Sequence, residues 1–472
     1  MSKYFSFRPN RPRQPINQQG NILTLVLVFG GIFLLMFSGL IGYISVQYNL
    51  SKEKVALNLA LNIAESGVNY ARWHLAHAPN DYNFSAVYDY IDPELGTVGQ
   101  YKLEITPPDN CSTMVAIKST GWTQDFPEVK RSISAVFGQS SLAKYAFLTN
   151  SDVWFGEEEE LRGPFHSNGG IRMDGTQNAL STSAKPNYTC QPIHGCSPAQ
   201  QKPGIWGTGN GGSLGLWSFP IPGPNFDAIS LDLGNLKQIA KNGGYYFASS
   251  TVFGYHIVFK NDGTFDLNKV TKVQNAINVK DTETGLTVTE SLDIKDETFL
   301  QNYPLAADQC NQQNLIFVED TKVWVDGNVK EKATVAAARF PENAITNASI
   351  IINGNITRAD PKDTLLGLIA QKNILVPYNS PNVLEVQAVM IAQKGAVKRY
   401  QYSNTKNKIL VRGSIITNKV WTWSYVDSNG NVTSGYKNTE SYFEPALIYA
   451  PPPFFPTTGE YQFISWTEVP SS

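Results

Sequence analysis

The sequence predicts a mainly β protein carried on one long N-terminal α-helix, with a small antiparallel sheet on that helix and then a large β-solenoid-like or β-sandwich domain. Three observations predict this. An uncharged apolar run near the N-terminus passes without proline into a helix-forming segment. Short stretches of alternating apolar and polar residues follow, bounded by turn residues, which is the period-two pattern of half-buried strands. Further on, short apolar strands recur at roughly twenty-residue spacing, which suits solenoid rungs that bury their faces only on one another.

The helix is the first element. No charged residue stands between Gln14 and Ser51, and Ile22 to Val46 is dominated by Leu, Ile, Val, Phe and Gly. At 1.5 Å per residue this run exceeds the ~30 Å hydrocarbon core of a bilayer, and it is too long for a cleaved secretory signal. Lys3, Arg8, Arg11 and Arg13 precede it with no acidic residue, so the positive-inside rule puts the N-terminus in the cytoplasm and everything after about Lys52 outside. Proline is absent between Pro15 and Pro79, so one helix can run to about Leu75. Ala56, Ala60 and Ala64, four residues apart, form a ridge of small side chains that lets another element approach closely.

A basic leader ending in Gly20, an apolar helix just after it, and Ala64-Glu65-Ser66-Gly67 near the helix end resemble type IV minor pilins of the PilX type. That resemblance implies cleavage by a prepilin peptidase after Gly20, a mature chain beginning at Asn21, and an apolar helix that anchors the subunit and packs with other pilin-like subunits. Filament-forming members carry Glu at the fifth mature position, where this chain has Leu25. The resemblance therefore implies a minor or tip-located subunit, with Ala56, Ala60, Ala64, Glu65 and Gly67 in helix packing.

The chain divides into a leader over 1–20, the helix over 21–78, a small antiparallel β domain over 79–140 and a large exported β-rich domain over 141–472. Three strands of the small sheet are read at Tyr101–Ile105, Met114–Ile117 and Val129–Phe137, with turns at Pro107–Asn110 and Gly121–Phe126. In the large domain, I-A-Q-K at Ile369–Lys372 recurs at Ile391–Lys394, and apolar strands Ile350–Ile356 and Ile409–Ile416 are each broken by a glycine, Gly354 or Gly413. Hairpin turns are marked by Asn261-Asp262-Gly263 and by Asn429-Gly430. Gly163–Gly175 and the closing Glu444–Pro456 resemble an uncharacterised domain that follows pilin-like anchors in some bacterial envelope proteins, which implies no known chemistry.

Composition limits function. The 472 residues are 17% charged and 12% aromatic with net charge −2, and the body has no Lys/Arg patch, so a nucleic-acid partner is not expected. Cys190 and Cys196, close together in an exported loop, predict a disulfide. Zinc on Cys190, His194 and Cys196 is the competing reading, but it lacks the second ligand pair of a structural site. The pairing of Cys111 and Cys310 is left open. Asn187, Asn347 and Asn431 head Asn-x-Ser/Thr triplets and fit surface loops.

Catalytic motifs are weak. Gly207, Gly209 and Gly212 spell G-x-G-x-x-G, and Gly211–Gly215 spells G-x-S-x-G, but neither sits in the strand-turn-helix context that such chemistry needs. His166, with the acidic run Glu157–Glu160, is the one acid–base candidate, pointing to a membrane-anchored glycan-active solenoid enzyme as the alternative. The expectation is a non-enzymatic, single-pass cell-membrane protein without metal or cofactor. It would present its β domain for pilus assembly, tip function or adhesion to a surface glycan or protein ligand.

Overall fold

The computed structural model describes residues 21–94, 96–109, 112–157, 159–281, 285–307, 312–360, 364–427 and 431–470. The leader with Gly20, Cys111, Cys310, Glu158, Asn110 and the Asn429-Gly430 turn lie outside them.

Helix α1 runs from Asn21 to His77 and stops two residues before Pro79, whose ring cannot continue an α-helix. Every residue from Ile22 to Val55 is exposed, so this half of α1 buries nothing within the chain and is long and apolar enough to cross a membrane. Ser38 and Ser45 donate back to the carbonyls of Leu34 and Ile41 at 2.8 and 2.9 Å, which satisfies the hydroxyls inside an otherwise apolar rod.

The second half of α1 lies on an antiparallel sheet. Strands β1 (Val87–Asp92), β2 (Gly96–Thr106), β3 (Met114–Thr123) and β4 (Lys130–Ser141) pair in sequence order, and the C-terminal strand Thr457–Val469 completes the five-stranded sheet beside β4. Ile63, Ala64, Val68, Ala71 and Leu75 of α1 interlock with Leu103, Val115, Ile117, Ile133 and Phe137 of the sheet. Two expectations change here. Gly121 belongs to β3 and not to a turn, because alternation persists to Thr123. The large domain does not extend to residue 472: the solenoid occupies the chain from Leu142 to Pro456, an insertion between two neighbouring strands of this sheet. At the junction Leu142 N donates to Pro456 O at 3.2 Å, and Ser141 Oγ to Leu447 O at 2.9 Å.

Parallel pairing makes the large domain a solenoid and not a sandwich. Along its first wall, Ile316, Val335, Leu368, Met390, Ile415, Phe147 and Phe165 stand in register on successive strands, and all point into one buried core. The order is not that of the chain. Phe147–Thr149 enters in the middle of the stack, beside Ile415–Thr417, and the next turns climb through Ser181–Ser183 to Trp217–Ser218 at one end. Helix α2 (Phe226–Asn242) then leads to Tyr245–Phe247, which pairs with Leu315–Val318 at the far end. From there the turns advance until they meet the entry strand.

Two walls are covered from outside by the same chain. Leu233, Leu236 and Ala240, one face of α2, cover Leu315, Phe317 and Ala336 on the first wall. The hairpin Ile277–Asp281/Leu286–Glu290 lies over Trp324, Ile351 and Leu375 on the second. A buried ion pair, Lys398 Nζ to Asp281 Oδ1 at 2.8 Å, pins that hairpin. Antiparallel strands Thr264–Val273 and Ile294–Pro304 extend the far end, with bulges in their pairing that twist an edge away from further pairing.

Candidate functional site

The seam between α1 and its sheet holds the residues singled out for helix packing. Ala60 and Ala64 are wholly buried and Ala56 is 5% exposed. The ridge exists because β3 brings a glycine to it: a Cβ on Gly121 would stand 2.4 Å from Ala60 O and 2.5 Å from Ala64 N. Gly67 makes the reverse contact, since a Cβ there would meet Ser119 Oγ at 2.3 Å and the Tyr101 ring at 2.7 Å. Glu65 is half-buried beside the seam. Asn21 is the first helical residue of α1, and Leu25 is 58% exposed on its apolar half.

Cys190 and Cys196 are disulfide-bonded with Cα atoms 5.7 Å apart, which removes both thiolates from any zinc site. Among the described residues no group of three or more His, Cys, Asp and Glu is placed to hold a metal ion. The short loop they close belongs to the hairpin Asn187–Cys190/Gln200–Pro203. Asn347 corrects the surface-loop reading of its triplet: it is 8% exposed, and its Oδ1 accepts from Asn343 N at 2.8 Å. Asn187 and Asn431 are exposed.

His166 is not an open acid–base group. It lies on the first wall, fully buried, with Nδ1 2.7 Å from Thr182 Oγ1 and Nε2 3.1 Å from Asn168 Oδ1. The chain leading to α2 passes directly above, since a Cβ on Gly223 would stand 2.1 Å from Nε2. Burial holds this imidazole below its usual range. The acidic run is occupied elsewhere: Glu160 pairs with Arg162 at 2.6 Å, and Glu159 accepts from Gly156 N at 3.1 Å. The glycines of 207–212 serve backbone crowding, with Cβ positions on Gly207 and Gly209 falling 2.0 and 2.1 Å from carbonyls of Met173 and Gly175.

Two outward ladders escape a reading of the sequence. At the corner after the first wall, Asn168 Nδ2 donates to Asn150 Oδ1 at 2.7 Å and Asn150 Nδ2 to Asn418 Oδ1 at 2.8 Å. Gln371 and Gln393 stand at the same corner of neighbouring turns, one residue past the paired Ala370 and Ala392. The signal was I-A-Q-K continued as Ile416-Thr-Asn-Lys, Leu148-Thr-Asn-Ser and His166-Ser-Asn-Gly, a repeat of side-chain type more than of identity.

The second ladder is aromatic and cationic. Trp154, Arg172 and Trp206 lie in register on three successive strands. The Arg172 guanidinium sits 4.5 Å from the Trp154 ring centre and 5.1 Å from that of Trp206, whose other contact is Lys202 at 4.5 Å. Such stacking is favourable between cation and ring, and hydrogen bonds fix it. Asp174, 8% exposed, accepts from Arg172 Nε at 2.7 Å and Trp154 Nε1 at 2.9 Å. Arg172 Nη1 donates to His194 O, inside the disulfide loop, at 2.9 Å.

No protein-family model matches the chain, and neither does any curated protein. Among solved structures, the competence-associated pilin ComZ from Thermus thermophilus matches over 88% of this chain and 98% of its own, at 12% identity and a TM-score of 0.31, a likeness too loose to carry an argument.

Proposed function

We propose that this chain is a minor, type IV pilin-like subunit: an anchored protein, cut after Gly20, that presents a non-catalytic solenoid outside the cytoplasm from the tip of an assembly or from the membrane. The observation that carries the reading is the insertion. The second half of α1 and the sheet packed on it form one body that continues the apolar rod, and the solenoid leaves and re-enters that body between neighbouring strands. Leu25 supports the minor role. A carboxylate buried among apolar helices persists only where a neighbour compensates it, and a subunit without one sets no such demand on a partner. The buried, capped His166 supports a binding or structural role over catalysis. The expected partners are the membrane, a prepilin peptidase and other pilin-like subunits.

Terminal sequencing of membrane-extracted protein, joined to labelling of the solenoid in cells, tests this. A mature chain starting at Asn21, with sparse label at filament ends or in the envelope, is expected. Even decoration along filaments, or filaments grown from this chain alone, would refute the minor role.

A further inference from the structure

From Ile22 to Val46 helix α1 carries apolar side chains on all sides. A helix apolar all round matches a lipid surrounding better than one partner helix, which would be met by a single stripe. The end of this rod is banded. Counted from Ile22 at 1.5 Å per residue, a ~30 Å hydrocarbon core ends near Ile41. Tyr43 and Tyr48 follow, 63% and 60% exposed, at the level where amphipathic rings collect between hydrocarbon and water. Polar residues recur from Gln47, and the first charge after the leader is Lys52. Burial within the chain begins only at Ala56. Asn49 to Val55, about 10 Å of helix, therefore belongs neither to the hydrocarbon band nor to the α1 seam.

Lys52 adds an independent observation. Its ammonium lies 4.7 Å from the centre of the Tyr48 ring, one turn back toward the N-terminus, the direction in which helical side chains lean. The charge is thereby carried back to the depth of Tyr48 and not outward along the helix. Among the described residues no carboxylate pairs with it. Phosphate is the anion that a bilayer supplies at that depth.

We propose that Tyr48 and Lys52 dock on the phospholipid headgroups of the exported leaflet, with Lys52 Nζ on a lipid phosphate, and that Asn49 to Val55 stands clear of the bilayer as a helical stalk. The inference rests on the reading of α1 as a membrane anchor and adds the depth at which the anchor stops. The contact between Lys52 and Tyr48 ties the stalk to the turn before it, a favourable pairing of cation and ring where neither lipid nor sheet supports the helix. The sheet and the solenoid are then held about 10 Å off the headgroups.

The test uses the unaltered full chain in nanodiscs of phosphatidylcholine and phosphatidylglycerol, compared with maltoside micelles, which hold no phosphate. Hydroxyl-radical footprinting in the discs shields Met36 and Tyr43 and leaves Leu50 and Val55 open to oxidation. Reductive methylation of Lys52 is about fivefold slower in discs than in micelles, the effect of one lysine held at an anionic surface, while Lys54 changes less. Shielding of Leu50 and Val55 together with Met36 would place the stalk inside the bilayer, and equal methylation of Lys52 in discs and micelles would exclude the phosphate contact. Either result overturns the proposal and leaves the anchor standing. Shielding of Leu50 and Val55 that grows with the number of chains per disc would assign this surface to a second copy and overturn it too. Oxidation of Met36 as fast as that of Leu50 would refute the anchor reading itself, and this inference with it.

Discussion

Gly121→Ala adds one methyl group at the tightest point of the α1 seam. The new Cβ would lie 2.4 Å from Ala60 O and 2.5 Å from Ala64 N, and neither helix backbone atom can rotate away as a side chain would. Ordinary contacts between such atoms are about 3.5 Å, so α1 must lift by about 1 Å locally. Removing a strand glycine would by itself stabilise the fold by about 0.5–1 kcal/mol, but overpacking costs about 1–3 kcal/mol, and the larger effect decides the sign. Hydrogen exchange on the full chain in micelles is the assay, because a chain of two folded parts has no single unfolding free energy. The net cost of about 0.5–2.5 kcal/mol makes peptides from 56–75 and 114–137 exchange about twofold to seventyfold faster in the variant, while peptides from 366–376 in the solenoid do not change. Equal or slower exchange in the seam peptides would refute the close-packing argument, and Ala60→Leu, adding bulk from the other side, serves as its companion.

His256 is flanked by Glu297 at 2.8 Å and Asp326 at 3.3 Å. Burial alone would lower its pKa, but the two carboxylates outweigh it and raise the pKa to about 9. Because the folded value lies above the unfolded one, the stabilisation is complete below about pH 6.5 and is lost as pH rises through about 9. An imidazole midpoint at or below 6.5, measured by NMR, would refute this. Cys190→Ser opens a loop whose closure contributes roughly 2 kcal/mol in the chain-entropy picture, so limited proteolysis cuts the 187–203 hairpin faster while the α1 seam stays intact. Asn150→Ala removes both hydrogen bonds of the corner ladder and lowers solenoid stability by about 1–3 kcal/mol; unchanged exchange in peptides spanning 147–168 would show the ladder to be ornamental. Replacing Gly20 with a bulky residue leaves a longer species in cells that hold the peptidase, read by intact mass.

The parts legible in the sequence are those whose partners lie close along the chain. Helix α1 and strands β2 to β4 announce themselves through the missing proline and the alternation of near neighbours. The C-terminal strand does not, because Phe463 meets Phe137 across the whole inserted domain and no local pattern encodes such a partner. Helix α2 was not read from the sequence: among its described side chains, Phe226, Leu233, Leu236 and Ala240 carry the buried face, a sparse apolar pattern inside a domain expected to be β-rich. Solenoid turns were visible where Ile369 and Ile391 repeat an identical motif, and invisible where the same corner is filled by Asn418, Asn150 or Asn168. The mid-stack entry could not be read at all, since a stack buries the same surfaces in either order. At the candidate site, Arg172 and Asp174 lay inside a recognisable stretch, but Trp154 and Trp206 join them only through the register of separate turns.

The solenoid hangs from the sheet on α1 by two legs, β4 going out and the C-terminal strand coming back, side by side. A single linker would let the domain swivel about its bond; two adjacent legs resist torque and fix which wall faces away from the sheet. When α1 is held and the solenoid is pulled, both legs are drawn from the same end. The ladder between them is therefore carried along as a unit instead of being peeled apart. The load passes to the bonds between β3 and β4 and to the seam at Ala60 and Gly121. A seam without gaps at that point is what a tether under tension requires.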